Sequence, residues 1–370
     1  MKVLYVGKYP PLQGGIATTA YWRIRRMAAL GHRISVITIR ADEAAVSYCS
    51  PAPVPSEGVY VEYVMGKPAW HIPYSHLYAE RLVAKALAKS EECDFDLVEA
   101  GYLMPFAFAA WIVAKHIGRP LLLRHGGSDV KKFARDPFLR TLFATMLKDA
   151  AYVVTYTDRY DFWRREMGVE PEKLLMTRRY WPPTAFGPGT SMYRNPKKVV
   201  FFGKITAKWR ERGFAELARA LATCGDGWVL HCYAQGDGLG VFTSFWRENC
   251  PQVRLEIEPF VAPDRVPDLM RQVTYLFCGG TPQDLYESSN IILEGLLSGC
   301  KLLIGGPEYP VDLPFWANTV ALLLDPQTTG KEIASLGDLS VGLEVLDGER
   351  AAYEREMDII YGKCAMKGTY

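Results

Sequence analysis

The stretch YESSNIILEGLLSGCKLLIGG, Tyr286 to Gly306, constrains the fold most, because it sets a polar loop, a short apolar helix and an apolar strand in immediate succession. Ser288, Ser289 and Asn290 supply oxygens that can cap a helix start, Ile291 to Leu297 is almost wholly apolar, and Gly299 ends the run. Leu302, Leu303 and Ile304 then read as a core strand. One charge interrupts the apolar run. Glu294 lies one turn below Asn290, so the two side chains share a stripe of the helix, near the end where backbone N–H groups and the positive dipole favour an anion. A carboxylate there accepts hydrogen bonds from hydroxyls while the amides above it hold phosphate, which is how a sugar nucleotide is gripped. The same carboxylate could instead pair with a buried arginine or point at solvent, since structural ion pairs occupy such positions as well.

The first half repeats the strand and helix alternation. Lys2 to Val6 is a short buried strand, GKYPPLQGGIA (Gly7 to Ala17) is a loop opening a helix that runs to about Leu30, and Ile34 to Ile39 is the next strand. This βαβ unit implies a parallel sheet with right-handed crossovers. Gly14 and Gly15, just before the helix, lack a Cβ and suit close approach of backbone N–H groups to a phosphate; two adjacent glycines are also simply a turn. The dinucleotide fingerprint is absent, and Arg40 stands where an acidic residue would hold a ribose.

Val59 to Val64 reads as a strand, Ser75 to Lys89 as a helix and Leu97 to Ala100 as another strand. Asp94 and Asp96 have a metal-binding spacing, but acidic residues commonly precede a parallel strand and no metal is expected there. Pro105 to His116 is a further helix. Pro120 to Arg124 is a strand feeding RHGGSDV, which puts His125 at a strand's carboxyl end, where open α/β sheets place ligand groups. An imidazole there can donate to a sugar hydroxyl or a phosphate oxygen, or merely bond the turn's backbone; Asp129 is a second, weaker candidate. Phe138 to Tyr152, the run DFWRREM (Asp161 to Met167), and Trp22, Arg23, Arg25 and Arg26 combine aromatic and basic side chains that suit anionic lipid heads or an ordinary solvated helix face.

WPPTAFGPGTSMYRNP, Trp181 to Pro196, separates two such patterns and marks a domain boundary. The expected organisation is residues 1–185, a linker at 186–196, a second domain at 197–345 and a charged helical tail at 346–370 that returns toward the first domain. Lys198 to Phe202 opens the second domain, and GKITAKWRERG (Gly203 to Gly213) is its first loop. Lys204, Lys208, Arg210 and Arg212 gather there, at a strand's carboxyl end, where cations stabilise the charge that builds on a leaving diphosphate. A solvent-exposed basic loop would look the same.

A 370-residue chain with 49% hydrophobic residues can bury two sizeable cores, and its net charge of +2 does not suit a nucleic-acid partner. None of its eight cysteines forms a CxxC pair and several lie in apolar runs, which favours free thiols in a reducing compartment. The N-terminus begins with a strand, and the apolar run from Leu103 to Ala114 is broken by Pro105 and too short for a bilayer. A cytoplasmic location, with contact at the inner face of the membrane as an option, is expected.

NIILEGLLSGCKLLIGG resembles the signature helix of the retaining glycosyltransferases of family 4, whose pattern is Glu, seven residues, then a second Glu opening a small-residue helix and an apolar strand. The resemblance implies the GT-B fold, an α/β architecture of two Rossmann-like parallel-sheet domains across a cleft. It assigns Glu294 to the nucleotide ribose, and Asn290 with the backbone near Ser289 and Ile291 to phosphate or sugar. The first Glu is displaced by one position, since Tyr286 stands eight places back and Glu287 follows it; Glu287 is then the residue for the donor sugar. PPLQGGIA, with Gly14 and Gly15, is similar to the N-terminal loop that faces the donor diphosphate, and His125 matches the HG loop beside the reacting centre. Gly203-Lys204 stands where the family carries Gly-Arg, and Arg212-Gly213 where it carries Lys-Gly, with Lys208 as a competing match; Arg's bidentate fork is thereby exchanged between the two positions.

The implied activity is transfer of a hexosyl or N-acetylhexosaminyl group, with retention and without a metal or other cofactor, from a nucleoside diphosphate sugar, often uridine-linked. The acceptor would be a hydroxyl on a glycan, a lipid-linked molecule or a small molecule. Two other functions fit the departures from the pattern: a catalytically degenerate relative that binds nucleotide or a partner, and a sugar-nucleotide epimerase.

Overall fold

In the computed structural model, described for residues 1–41, 49–66, 76–126, 129–130, 136–178, 180–187, 194–280, 289–306, 317, 320–338 and 343–367, strands and helices alternate along the whole chain. They form two compact units. The first comprises Met1–Cys49, Val54–Tyr180 and Glu349–Tyr370, and the second Ser50–Pro53 and Trp181–Gly348.

The first unit runs β1 (Lys2–Gly7), α1 (Gly15–Ala29), β2 (Arg33–Ala41), β3 (Val59–Gly66), α2 (His76–Glu92), β4 (Leu97–Gly101), α3 (Phe108–Ile117), β5 (Leu121–Arg124), α4 (Pro137–Asp149), β6 (Tyr152–Thr155) and β7 (Leu174–Met176). Its seven strands are parallel, in the order β3-β2-β1-β4-β5-β6-β7. The central strands are covered on both faces, so Val3 to Gly7 and all of β4 are buried or nearly so, and an apolar run without alternation is what such a strand requires. α4 has an explicit start signal: Asp136 accepts from the Phe138 amide at 2.8 Å and Pro137 occupies the first turn.

The second unit runs β8 (Asn195–Lys204), α5 (Phe214–Ala222), β9 (Val229–Gln235), α6 (Leu239–Asn249), β10 (Arg254–Glu258), α7 (Val266–Arg271), β11 (Val273–Gly279), α8 (Ser289–Leu297), β12 (Lys301–Gly305), β13 (Ala321–Leu324) and α9 (Gly330–Ser335). Its six strands are parallel, in the order β10-β9-β8-β11-β12-β13. In each sheet the chain leaves the first strand toward one edge and later returns to its other side. The carboxyl ends of β1 and β4, and of β8 and β11, are therefore switch points, the places where open α/β sheets leave a crevice for ligands.

The last helix, α10 (Leu343–Lys367), belongs to the first unit from Glu349 onward. Its anchor is a buried charge. Glu99 of β4, 1% exposed, pairs with Arg23 of α1 at 2.5 Å and with Arg124 of β5 at 2.8 Å, and accepts from the Tyr361 hydroxyl at 2.8 Å. Arg23 and Arg124 also donate to that hydroxyl. Two guanidiniums and a phenol thus meet one carboxylate, which makes burial of the charges tolerable.

That network also assigns partners to the basic residues of α1: Arg23 pairs with Glu99 in the interior, Arg26 pairs with Asp358 at 3.0 Å and Glu354 at 3.6 Å, and Arg25 donates to the Tyr21 hydroxyl. In DFWRREM, Phe162 and Trp163 are core residues. Asp94 and Asp96 hold the sheet's rim, the first accepting from Arg119 and the second from the Lys2 amide, both at 2.7 Å.

Candidate functional site

The second unit builds its site from the basic loop between β8 and α5. Trp209 is buried among Phe242 and Phe245 and pins the loop's middle, while Arg210 stacks on Trp209 with its guanidinium carbon 4.5 Å from the ring centroid. Arg210 is thereby a packing residue. Lys208 has a side chain 73% exposed and lies 3.8 Å from Glu211, so its charge is turned outward and partly balanced. Lys204 and Arg212 close the loop: Arg212 donates to the Lys204 carbonyl at 2.8 Å.

Neighbouring strand ends support this loop through glycines. Gly213 has φ +79°, and a Cβ on it would lie 2.3 Å from the Cα of Gly305 at the end of β12. Gly305 and its register partner Gly279, at the end of β11, leave equally little room: added Cβ atoms would meet the Arg212 carbonyl oxygen at 2.3 and 2.9 Å. Backbone lies directly on backbone, which only glycine permits. From the other side, the QGDG turn after β9 props the loop. The Ile205 amide donates to the Gln235 carbonyl at 3.0 Å, Gly238 donates to the Ile205 carbonyl at 3.0 Å, and Asp237 accepts from the Ala207 amide at 3.2 Å.

The helix that carries Glu294 is α8, between the parallel strands β11 and β12, so its N-terminal end lies at the same carboxyl edge of the sheet as the basic loop. Gly295 seats it: a Cβ there would come within 2.3 Å of Leu276. Glu294 is 3% exposed, and Asn290, one turn earlier, is half-buried. At the opposite end Gly299 turns left-handed at φ +77°, and Arg194 donates to the carbonyls of Ser298, Gly299 (3.0 Å) and Val273 (2.9 Å). A cation on the C-terminal carbonyls satisfies groups that a short helix leaves open and complements its dipole. Ser289 opens the helix and Ile291 is half-buried, whereas Glu287 lies outside the described residues.

The first unit gathers its own set at the carboxyl ends of β1, β4 and β5. His125 follows β5 directly and is 5% exposed. Gly126 beside it is pressed by Ile16 of α1, whose side chain would meet an added Cβ at 2.2 Å. This contact brings the start of α1, with exposed Gly14 and Gly15, against the histidine loop. The amides of a helix's first turn have no intrahelical acceptor, so that end is electropositive.

Three residues of this set were not singled out from the sequence. Tyr102 follows β4 with φ +97°, a conformation that costs a side-chain-bearing residue about 1–3 kcal/mol and is typical of functional sites. Lys8, at the end of β1, sits with its Nζ 3.8 Å from the centroid of the Tyr102 ring. Trp163 donates to His125. Asp129, the weaker sequence candidate, is wholly buried and accepts from the amides of Leu103 at 3.0 Å and Val130 at 2.9 Å, which ties the turn after β4 to the turn after β5. Burial pushes its carboxyl up to about 7, with the amide donors opposing. The sequence signal for Lys8 and Tyr102 was only their place after an apolar strand, and for Trp163 only its membership of the aromatic and basic run DFWRREM.

Residues 14–178 match the family described as glycosyl transferase 4-like domain. Among solved structures, the chain is similar to HepE of Anabaena in complex with UDP-glucose, at 14% identity and a TM-score of 0.57 over 100% of this chain and 94% of that one. It is also similar to sucrose-phosphate synthase of Thermosynechococcus elongatus (12% identity, TM-score 0.58, 99% and 96% covered). UDP-GlcNAc 2-epimerase of Methanocaldococcus jannaschii gives 11% identity and a TM-score of 0.56, with 92% and 93% covered. At these identities the structural likeness speaks for the fold. No curated protein sequence matches the chain at the same stringency. Residues 14–178 thus carry a glycosyl transferase 4-like domain, and the pair of parallel sheets gives the whole chain the two-domain GT-B fold of these glycosyltransferase structures.

Proposed function

We propose that the protein transfers a sugar from a nucleoside diphosphate sugar, uridine-linked, to a hydroxyl acceptor, with retention of configuration and without a metal. The observation that carries this reading is the edge shared by α8 and the basic loop: a buried acid, Glu294, and two cations, Lys204 and Arg212, belong to the same carboxyl edge of one sheet. Glu294 accepts the ribose hydroxyls, Asn290 and the first amides of α8 meet the sugar or phosphate, and Lys204 and Arg212 take the diphosphate. Glu287 is assigned to the donor sugar.

The chemistry needs placement and charge stabilisation more than a strong base. With retention, the departing phosphate oxygen stays on the face from which the acceptor hydroxyl arrives and can take its proton. Arg212, whose guanidinium is held on the Lys204 carbonyl, and the Lys204 ammonium stabilise that oxygen as it leaves. His125 and the amides of Gly14 and Gly15 belong to the acceptor side and the reacting centre. HepE, which is solved with UDP-glucose, makes a uridine diphosphate sugar the natural first donor to try. The donor is a hexosyl or N-acetylhexosaminyl nucleotide, and the acceptor a glycan, a lipid-linked molecule or a small molecule. The work would be done in the cytoplasm.

A thermal-shift panel of nucleotide sugars tests the reading, because a ligand that binds only the folded chain raises its melting temperature by mass action. UDP and at least one UDP-sugar are expected to raise it. A panel in which no nucleotide or nucleotide sugar does so overturns the proposal.

A further inference from the structure

Trp163 is wholly buried, and its indole Nε1–H donates to Nε2 of His125 at 3.0 Å. An indole nitrogen donates and never accepts. The lone pair of His125 therefore stands on Nε2, and a neutral imidazole with an accepting Nε2 carries its hydrogen on Nδ1. The ring is held between aromatic neighbours, with Trp163 tilted against it at 4.8 Å between centroids and Tyr156 edge-on at 5.3 Å. Trp163 is itself fixed, since its carbonyl accepts from the Val169 amide at 3.0 Å and its ring packs edge-on against Phe162 at 5.0 Å.

We propose that Trp163 is a positioning residue that locks His125 in the Nδ1–H tautomer, so that the imidazole serves the transfer as a hydrogen-bond donor and not as a base. The second half of this statement rests on the glycosyl-transfer reading; the first half does not. Taking up a proton requires an available lone pair. In this ring one nitrogen accepts from the indole and the other already carries hydrogen. Protonating Nε2 would set two N–H donors against each other in a buried site, at the full cost of leaving both unsatisfied. A fixed N–H donor is what a centre needs when negative charge develops on oxygen.

The test is a long-range proton–nitrogen correlation spectrum of the full chain carrying nitrogen-15 histidine, recorded at pH 8, with the His125 signals identified by their loss in His125→Gln. The expected pattern is a protonated Nδ1 and an unprotonated Nε2. In Trp163→Phe, which keeps an apolar ring and removes the N–H, the hydrogen is expected to move largely to Nε2, the site that an unconstrained imidazole prefers. A wild-type spectrum showing Nε2–H overturns the proposal, and so does a Trp163→Phe spectrum that still shows Nδ1–H. Should Trp163→Phe fail to fold, the wild-type spectrum alone decides the tautomer. The spectrum needs no substrate, so a nucleotide panel without a hit removes the transfer reaction and leaves the tautomer lock to stand or fall separately.

Discussion

Gly213 and Gly305 touch through their backbones: a single methyl on Gly213 would lie 2.3 Å from the Cα of Gly305, at a residue whose φ is +79°. The contact holds the basic loop against the end of β12. Gly213→Ala combines a left-handed conformation with a backbone clash that no rotamer relieves. It is expected to lower unfolding free energy by about 3 kcal/mol, measured in urea, and to weaken UDP binding through displacement of Lys204 and Arg212. Unchanged stability and unchanged affinity together would refute the backbone contact.

Glu294→Ala is expected to weaken UDP about 10-fold or more, the loss of one or two charge-assisted hydrogen bonds to the ribose. Titration calorimetry reads it directly. The variant also removes a carboxylate that is 3% exposed, so its melting curve must accompany the titration. Undiminished affinity in a folded variant would refute the ribose assignment.

The buried carboxyl of Asp129 gives stability a defined dependence on pH. Its folded value is raised to about 7 from 3.8, so the native chain binds this proton more tightly than the unfolded chain does. That contribution is complete below pH 3.8 and is lost as pH rises toward 7. Wild type should therefore lose stability relative to Asp129→Asn between pH 4.5 and 7.5, by about 3 kcal/mol in order of magnitude. Parallel unfolding curves for the two proteins across this range would show that the carboxyl is not buried in its acid form.

Replacing Glu99 by Gln leaves Arg23 and Arg124 buried without their counter-charge, since both guanidiniums pair with the one carboxylate. The expected loss is about 3–5 kcal/mol. Tyr361→Phe removes only a hydroxyl from the same network and should cost about 1–2 kcal/mol. Equilibrium unfolding of both variants checks the order; a larger effect for the tyrosine would place the network's centre elsewhere.

The diphosphate's charge is met by side chains in the proposed mechanism, which makes metal removal a clean experiment. UDP affinity by calorimetry should be the same in EDTA as in millimolar magnesium. A large loss of affinity in EDTA would assign the neutralising role to a cation, in place of Lys204 and Arg212.

Much of the architecture was legible as pattern. Strands buried on both faces are apolar throughout, so the run around Leu302 reads as a core strand of a parallel sheet, and a glycine such as Gly299 readily takes the left-handed turn that ends the helix before it. The boundary was read at the Pro- and Gly-rich stretch Trp181 to Pro196, with the linker proper at 186–196; the second unit takes up the chain from Trp181, and residues 188–193 lie outside the described set.

The sequence by itself determined the alternation of strand and helix, the acid in the apolar helix and the clustering of basic residues after β8, because periodicity and local charge are properties of neighbours along the chain. The uses of those charges were decided only by tertiary structure. Arg212 clasps Lys204, Arg210 lies on Trp209, and Arg23 vanishes into a network with Glu99 and Tyr361. Trp163 reaches His125 across 38 residues of chain. Such pairings depend on which strand ends and helix faces are brought together by the sheet order, and a guanidinium that binds phosphate looks the same in sequence as one that neutralises a buried acid.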